Sequence, residues 1–275
     1  MRRVILNGAD TRTGHLILVT PDRGLSEEGR PASAVPVRYV RDYKEHVFCS
    51  EQGNCAAGEK EDVLLEPETA GRLSGLLQEL GSGDRIVLVS GLRSREEQVR
   101  IWEDTMEKEG EAFTRTFVAK PGHSEHESGL AVDLAENREE IDFICPEFPG
   151  EGICGEFRRR ASGYGFVERY PEGKEAVTGI GREPWHFRYV GVPHGAVMER
   201  EGMILEEYIA FLRKYTSEAH PYLWYGPGKG EGTEIFYVDL RGKEEYAFRS
   251  GGPKDVWYSG TNEGGIVICR RRAYV

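Results

Sequence analysis

Long apolar runs and clustered basic residues are both missing from this 275-residue sequence. No stretch approaches the roughly 20 consecutive apolar residues that a transmembrane helix needs. The apolar run near the N-terminus, Val4-Ile5-Leu6, is too short for the core of a signal peptide. The sequence therefore predicts a cytoplasmic protein or, as the alternative, a cell-envelope ectodomain whose anchor has been removed.

Cysteine is scarce and irregularly spaced, with five residues and no CxxC pair. The missing pairs argue against a zinc site built from thiolates. Cys49 and Cys55 could close a small loop in an oxidising compartment, and the alternative is free thiols in a reducing cytoplasm. Cysteine usage therefore leaves the redox compartment open.

Acidic residues outnumber basic residues, and the formal net charge is −11. The basic run at residues 270–272 is short and is expected to end a strand rather than to contact phosphates. Nucleic acid is therefore not an expected partner, and the oligomeric state is left open.

Hydrophobic periodicity predicts mixed helices and strands between residues 60 and 220. A helix is expected from Pro67 to Leu80, a buried strand from Arg85 to Ser90, and a helix that a capping box opens at Ser94–Glu97. Further elements are predicted as strands at 15–19 and 183–190 and as helices at 155–164, 195–202 and 205–215. This order favours an α+β fold over a doubly wound sheet.

Composition changes after Tyr222, where the Gly-rich stretch 226–232 resembles a linker. Alternating runs beyond it predict a small antiparallel β appendage with strands near 234–240, 245–249, 256–259 and 265–270. Two domains are therefore expected, at residues 1–222, with an irregular segment at 1–60, and at residues 223–275.

Two segments about 50 residues apart, 122–133 and 183–188, carry the chemically richest residues. A catalytic zinc site needs three nitrogen or oxygen ligands, an open position for water, and a carboxylate that contacts this water without binding the metal. The residues that fit the ligand role are His126, Asp133 and His186, and Glu183 fits the role of the carboxylate.

The spacing within the first segment suits convergence on one ion. Gly129 lies between His126 and Asp133 and allows the chain to turn between them. Ala131 shares a strand face with Asp133, and its small side chain is expected to leave room for the metal.

The second segment requires a distorted strand. Glu183 and His186 are three residues apart and would face opposite sides of a regular strand, but Pro184 removes a backbone donor and could distort it. A histidine near a carboxylate is usually a hydrogen-bonded surface pair, and each segment alone has that alternative. Together, the complementary roles favour a metal site.

The motif Ser124-x-His126-x-x-Gly129-x-Ala131-x-Asp133, with the later 183–186 sequence EPWH, resembles the signature of VanY-type D-alanyl-D-alanine carboxypeptidases. These zinc peptidases are grouped with the VanX, VanXY and hedgehog-like proteins. The segments at 90–98 and 164–180 also resemble the family, so that the resemblance covers roughly residues 60–195. Within the group the sequence looks most like the VanXY proteins, which cleave a free dipeptide and the end of a longer stem peptide.

The resemblance implies a hedgehog/DD-peptidase-like α+β fold with a central antiparallel sheet. It also implies zinc-dependent hydrolysis of the C-terminal D-Ala-D-Ala bond of peptidoglycan precursors, which trims the precursors that glycopeptide antibiotics recognise. The substrate partner would be a peptidoglycan stem peptide or the D-Ala-D-Ala dipeptide. An L,D-carboxypeptidase that acts on stem tetrapeptides and a non-catalytic, zinc-bearing cell-wall binding module are the alternatives.

The family also implies roles for residues in its motifs. Zinc would be held by His126, Asp133 and His186, and Glu183 would be the general base. Arg93 would stabilise the oxyanion, with a salt bridge beside a helix as the alternative.

Three further residues are candidates for contact with the substrate. Ser124 and Tyr170 could hold its terminal carboxylate or its backbone, and a structural hydrogen bond is the alternative for each. Gln98 could orient the substrate or could be an exposed helix residue. His123 and His194 flank the motifs and are expected not to be ligands.

Overall fold

The computed structural model describes residues 2–38, 47–49, 55–57, 62–226, 231–252 and 255–273. Its helices are α1 (Pro67–Glu79), α2 (Arg95–Lys108), α3 (Glu111–Phe117), α4 (Gly152–Ala161), α5 (Glu175–Thr178), α6 (His194–Glu201) and α7 (Leu205–Leu212). Its strands are β1 (Arg2–Asn7), β2 (Val35–Pro36), β3 (Val47–Cys49), β4 (Cys55–Ala57), β5 (Leu64–Leu65), β6 (Ile86–Ser90), β7 (Ala131–Glu136), β8 (Glu140–Asp142), β9 (Phe166–Tyr170), β10 (Glu183–Tyr189), β11 (Tyr222–Tyr225), β12 (Glu231–Asp239), β13 (Glu245–Ser250), β14 (Val256–Gly260) and β15 (Gly265–Ala273).

The chain divides into two compact units. The larger unit comprises residues 19–25 and 30–195, and the smaller unit comprises residues 1–18, 26–29 and 196–275. Whether residues 223–275 fold apart from residues 1–222 stays a prediction.

A four-stranded antiparallel sheet in the order β6-β7-β10-β9 forms the centre of the larger unit and confirms the predicted central sheet. Phe187 of β10 packs edge-on against Phe157 of α4, with ring centroids 4.9 Å apart, and against Phe148 at 5.5 Å. Such aromatic contacts bury large apolar surfaces and hold helix and sheet together.

Local sequence signals explain why α1 and α2 begin where the sequence predicts. The Glu66 carboxylate accepts a hydrogen bond from the Thr69 amide ahead of α1, and Pro67 occupies its first position. The Ser94 hydroxyl accepts the Glu97 amide at 3.0 Å and caps α2. Each cap satisfies an amide that the first turn of a helix leaves unpaired.

The smaller unit contains a second antiparallel sheet, in the order β11-β12-β15-β14, and the separate pair β1-β13. Leu6 and Phe248 of the pair share a buried cluster with Phe236 and Ile268 of the sheet. The predicted strands of the appendage are present, but β13 pairs with β1 and β11 completes the sheet. Local periodicity predicts strands but carries no information about which strand is the partner.

The Gly-rich stretch 226–232 falls mostly on residues 227–230, which lie outside the described residues, so its role as a linker stays a prediction. Two expectations about local structure are wrong. Residues 15–19 form no strand; the Leu16 and Leu18 amides bond singly to the Ser259 hydroxyl and the Thr261 carbonyl. An apolar run is buried in either arrangement, so that periodicity cannot separate them. Strand β1 and helix α3 lie where no regular element was expected.

Three further findings bear on composition. The structure describes the side chains of Cys145, Cys154 and Cys269, none of which is joined in a disulfide, and the side chains of Cys49 and Cys55 lie outside the described residues. Within the described ranges, every helix is too short or too polar to cross a bilayer. The basic run at 270–272 lies in β15, as expected.

Candidate active site

A cleft of about 460 Å³, including its mouth, opens beside the central sheet within the larger unit. Its apolar walls include Ile101, Phe117 and Ile180. The sequence-predicted residues that line it are Arg93, Ser124, His126, Asp133, Tyr170, Glu183 and His186. Seven of the eight candidates therefore share one cleft, and the eighth, Gln98, lies behind its wall.

Sheet register brings two of the predicted ligands together. Asp133 of β7 and His186 of β10 are direct cross-strand partners, and Asp133 Oδ1 lies 2.9 Å from His186 Nδ1. His126 lies on a 3-10 turn at Glu125–Ser128 that precedes β7, and its Nε2 lies 3.0 Å from Asp133 Oδ2. Gly129 ends this turn at φ +69°, a left-handed conformation that glycine adopts without strain.

The ring of His126 is oriented by backbone. Its Nδ1 lies 2.7 Å from the Gly91 carbonyl, which can only accept a hydrogen bond, so Nδ1 carries the proton and Nε2 is left as a lone-pair donor. A side chain at position 91 would meet the Leu64 carbonyl at 2.4 Å, which explains the glycine there.

Three atoms in this arrangement fit a metal ion. His126, Asp133 and His186 are all buried, and each offers one ligand atom within 4.8 Å of the other two. Two imidazole nitrogens and a carboxylate oxygen form a donor set suited to catalytic zinc, which keeps a fourth position open. Ala131 lies two residues before Asp133 on the same face of β7 and is the cross-strand partner of the buried Arg188, and its role in leaving room for a metal stays a prediction.

Glu183 reaches the same cleft through a distortion of β10. The β9–β10 register shifts between Glu183 and Phe187, where β10 carries two extra residues. Glu183 and His186 consequently face the cleft together, with Oε2 3.7 Å from Nδ1, and the expected distortion at Pro184 is confirmed. Arg158 donates to the Pro184 carbonyl and contacts Glu168, which fixes the bulge from behind.

The charges in the cleft are strongly coupled. Burial raises the pKa of Glu183 to about 8. The His186 charge lowers this pKa, and the Asp133 charge raises it further. Burial alone would raise the pKa of Asp133, but His126 and His186 outweigh it and hold that pKa well below its usual range. Burial and the Arg93 charge lower the pKa of His126. Without a metal, the chain therefore holds an ionised ligand carboxylate next to a carboxyl group that readily takes a proton.

Arg93 is buried in the cleft, where it forms an ion pair with Asp133 just ahead of α2. Its Nη2 donates to Asp133 Oδ2 at 2.9 Å and its Nε to the Ser90 hydroxyl at 2.8 Å. Gln98 is fully buried, which makes the exposed-helix alternative wrong. Its amide accepts from Arg93 at 3.4 Å and donates to the Ala119 carbonyl at 2.8 Å, so it connects the guanidinium to a cleft wall.

The other two candidates for substrate contact line the cleft. Ser124 is buried at the start of the 3-10 turn. The Tyr170 ring lies 5.0 Å from the His186 ring, and Tyr170 is the cross-strand partner of Glu183. His123 lies outside the candidate ligand group, and its Nδ1 lies 2.9 Å from the Thr20 carbonyl oxygen.

Sequence reasoning missed a buried ion cluster beside His186. Glu125 Oε1 accepts Arg169 Nε at 2.9 Å and lies 2.7 Å from Arg188 Nη1, and all three residues are almost fully buried. The signal was available in part, because Arg188 follows His186 by two residues and a strand turns such residues to the same face. The partners of Arg188 depend on register, which one sequence does not show.

Comparison with known proteins agrees with this geometry. The family model described as VanY, D-alanyl-D-alanine carboxypeptidase, matches residues 62–192. VanXYC of Enterococcus gallinarum, a bifunctional D-Ala-D-Ala dipeptidase and D-Ala-D-Ala carboxypeptidase, is 45% identical over 152 residues, which cover 55% of this chain and 80% of that protein.

Solved structures extend the likeness. The vancomycin resistance D,D-dipeptidase VanXYg, in complex with a D-Ala-D-Ala phosphinate analogue, matches with a TM-score of 0.85 and 36% identity over 98% of this chain and 99% of that chain. The LdcB LD-carboxypeptidase matches with a TM-score of 0.54 and 28% identity over 70% of this chain and 84% of that chain. The match to VanXYg extends well beyond residues 60–195, to which the sequence resemblance was confined. The chain therefore belongs to the VanY family of D-alanyl-D-alanine carboxypeptidases and is a metallopeptidase of that type.

Proposed function

We propose that this chain hydrolyses the C-terminal D-Ala-D-Ala bond of peptidoglycan precursors with a zinc ion, as a D,D-carboxypeptidase and also as a D,D-dipeptidase. One observation carries the proposal: two histidines and an aspartate meet in a buried cleft beside a further carboxylate, Glu183, that is not part of the ligand group. The relatives named as dipeptidase and carboxypeptidase support this substrate class. The activity would remove the peptide terminus that glycopeptide antibiotics recognise.

Zinc would be held by His126 Nε2, His186 Nδ1 and the Asp133 carboxylate. The hydrogen bond of His126 Nδ1 to the Gly91 carbonyl supports this choice of nitrogen, because it leaves Nε2 free to donate a lone pair. When bound, the ion supplies Lewis acidity that makes water more acidic and a peptide carbonyl more electrophilic.

Glu183 would move the proton. A carboxylate beside the ligand group can take a proton from the attacking water and hand it to the leaving amine. Burial favours its protonated form after the first transfer, which suits a group that must hold the proton before giving it away.

Arg93 would stabilise the negative charge that develops on the peptide carbonyl oxygen. Hydrogen bonds to Ser90, Gln98 and Asp133 hold its guanidinium in one orientation. Donors that are fixed in advance need no reorganisation when the charge develops.

Ser124 and Tyr170 would contact the terminal carboxylate or backbone of the substrate, which their positions on the cleft wall allow. For Gln98, both polar groups of the amide contact protein groups, so its effect on the substrate would be exerted through Arg93.

The rival activity within the class is L,D-carboxypeptidase action on tetrapeptides, which the likeness to LdcB keeps open. The rival outside the class is a zinc-bearing wall-binding module without catalysis. The presence of Glu183 and Arg93 in the cleft favours an enzyme over that module.

A release assay separates these functions. D-Ala-D-Ala, D-Ala-D-Ser, a stem pentapeptide and a stem tetrapeptide are offered in parallel to zinc-loaded protein and to chelator-treated protein. We expect zinc-dependent release of D-Ala from the dipeptide and the pentapeptide. Release from the tetrapeptide alone would identify an L,D-carboxypeptidase, and zinc binding without any release would identify a binding module.

A cytoplasmic location and the absence of a nucleic-acid partner remain part of this proposal. A free dipeptide and soluble precursors would be substrates of a cytoplasmic enzyme, whereas a pentapeptide already built into the wall would require an envelope enzyme.

A further inference from the structure

Both charged neighbours of the buried Glu125 carboxylate contact the same oxygen, Oε1. Oε1 accepts Arg169 Nε at 2.9 Å and lies 2.7 Å from Arg188 Nη1. Oε2 is buried, has no hydrogen-bond partner in the described part of the chain, and lies 3.6 Å from His186 Nε2. His186 Nε2 is buried and likewise lacks a hydrogen-bond partner among the described residues.

We propose that Glu125 is a positioning residue that orients His186 for the metal. In the zinc-loaded protein, Oε2 accepts the Nε2–H hydrogen bond and thereby holds the imidazole in the tautomer whose Nδ1 faces Asp133 and the metal position. The inference rests on the proposed zinc site. Each ligand histidine then has an acceptor at the ring nitrogen that faces away from the metal position: the Gly91 carbonyl at His126 Nδ1 and the Glu125 carboxylate at His186 Nε2.

A purely structural role does not account for this arrangement. Neutralisation of the two guanidinium groups explains why Oε1 contacts both of them, but it leaves unexplained why Oε2 is buried 3.6 Å from an imidazole nitrogen. Metal-bound histidines commonly donate their second ring N–H to such a carboxylate.

Glu127 provides a matched control in the same turn. Its side chain is fully buried, and it also joins two guanidinium groups, Arg30 at 3.0 Å and Arg95 at 2.8 Å. Its other oxygen accepts the Gly122 amide, and none of these partners is a proposed ligand. Glu125 and Glu127 thus carry similar structural roles, and only Glu125 faces a ligand ring.

The test compares zinc affinity with folding stability in Glu125→Gln, Glu125→Asp and Glu127→Gln. Loss of a partner to a metal-bound histidine typically weakens metal binding about 10- to 100-fold. We expect both Glu125 variants to bind zinc at least about 10-fold more weakly in a chelator competition. Glu125→Asp keeps the charge that the arginines need, so it should recover much of the stability that Glu125→Gln loses without recovering zinc affinity. Glu127→Gln should lose stability with at most about a threefold change in zinc affinity.

A measurement on the unaltered protein covers the case in which the Glu125 variants do not fold. In ¹⁵N-histidine NMR of the zinc-loaded protein, His186 should carry its proton on Nε2, shifted downfield and slow to exchange. A His186 with Nε2 unprotonated would overturn the proposal, as would folded Glu125 variants with wild-type zinc affinity or an equal loss in Glu127→Gln. If the unaltered protein itself binds no zinc at this site, the proposed function fails instead.

Discussion

At the scale of single residues, the site is organised around one carboxylate. Asp133 contacts His186 through Oδ1 and both His126 and Arg93 through Oδ2. Burial alone would raise its pKa, and His126 and His186 lower that pKa by favouring the charged carboxylate. The same contacts fix Arg93, whose remaining donors face Ser90 and Gln98. A rigid guanidinium next to the metal position is suited to stabilising a negative charge that exists only in the transition state.

Arg93→Lys tests this interpretation. Lysine keeps the positive charge but offers a point charge in place of a planar fork, so it cannot satisfy Ser90, Gln98 and Asp133 together. We expect kcat to fall about 10-fold or more while KM changes less than about threefold. Arg72→Lys, an exposed position on α1, is the control. A large rise in KM at unchanged kcat would instead assign Arg93 to substrate anchoring.

At the scale of secondary structure, the site depends on irregularities as much as on regular strands. The β-bulge in β10 turns Glu183 to the face that His186 occupies, and the left-handed Gly129 turns the chain from the 3-10 turn into β7. Bulges next to active sites commonly re-aim a side chain in this way.

Gly129→Ala should reveal the energetic cost of the turn. Alanine in the left-handed region costs about 1–2 kcal/mol, and the new Cβ would lie 3.1 Å from the Glu66 amide nitrogen. We expect the free energy of unfolding to fall by at least about 1 kcal/mol in denaturant titrations. Gly71→Ala, at an exposed position inside α1 with open space around it, should instead raise that energy by about 0.5–1 kcal/mol. Equal effects of the two substitutions would contradict the conformational argument.

Local signals in the sequence predicted the elements near the site well, because caps and periodicity are local properties. The Ser94 cap and the strands on both sides of the metal position follow from neighbouring residues. The pairing of β13 with β1 and the partnership of Glu125 with Arg169 and Arg188 depend on register between distant segments. One sequence carries no direct record of such register, so those features could only be read from the structure.

At the scale of the whole molecule, all the proposed site residues belong to the larger compact unit. The smaller unit has a hydrophobic cluster of its own, built from β1, β12, β13 and β15 with Leu240. Two separate cores favour two unfolding transitions, because a cooperative transition reflects one core.

Zinc should therefore stabilise one of the two transitions. A ligand present at about 1000 times its dissociation constant adds roughly 4 kcal/mol to the state that binds it, which corresponds to roughly 10 °C for a unit of this size. In calorimetry, we expect zinc to raise only one transition, and His186→Ala to abolish that shift. A single transition would show that the units unfold as one, and two transitions that rise together would show that zinc binding stabilises both units; either result would contradict the expectation.

The central claim is that Glu183 stands beside the metal as the proton carrier and is not a ligand. The most direct test is kcat of zinc-loaded Glu183→Gln on D-Ala-D-Ala, with zinc content measured on the same sample. Glutamine keeps the size of the side chain but cannot accept and return a proton, and general acid–base catalysis contributes about 100- to 10,000-fold. We expect one zinc per chain, as in the unaltered protein, and a kcat lowered at least about 100-fold. Loss of zinc would make Glu183 a ligand, and full zinc with near-normal turnover would assign the proton transfer to another residue.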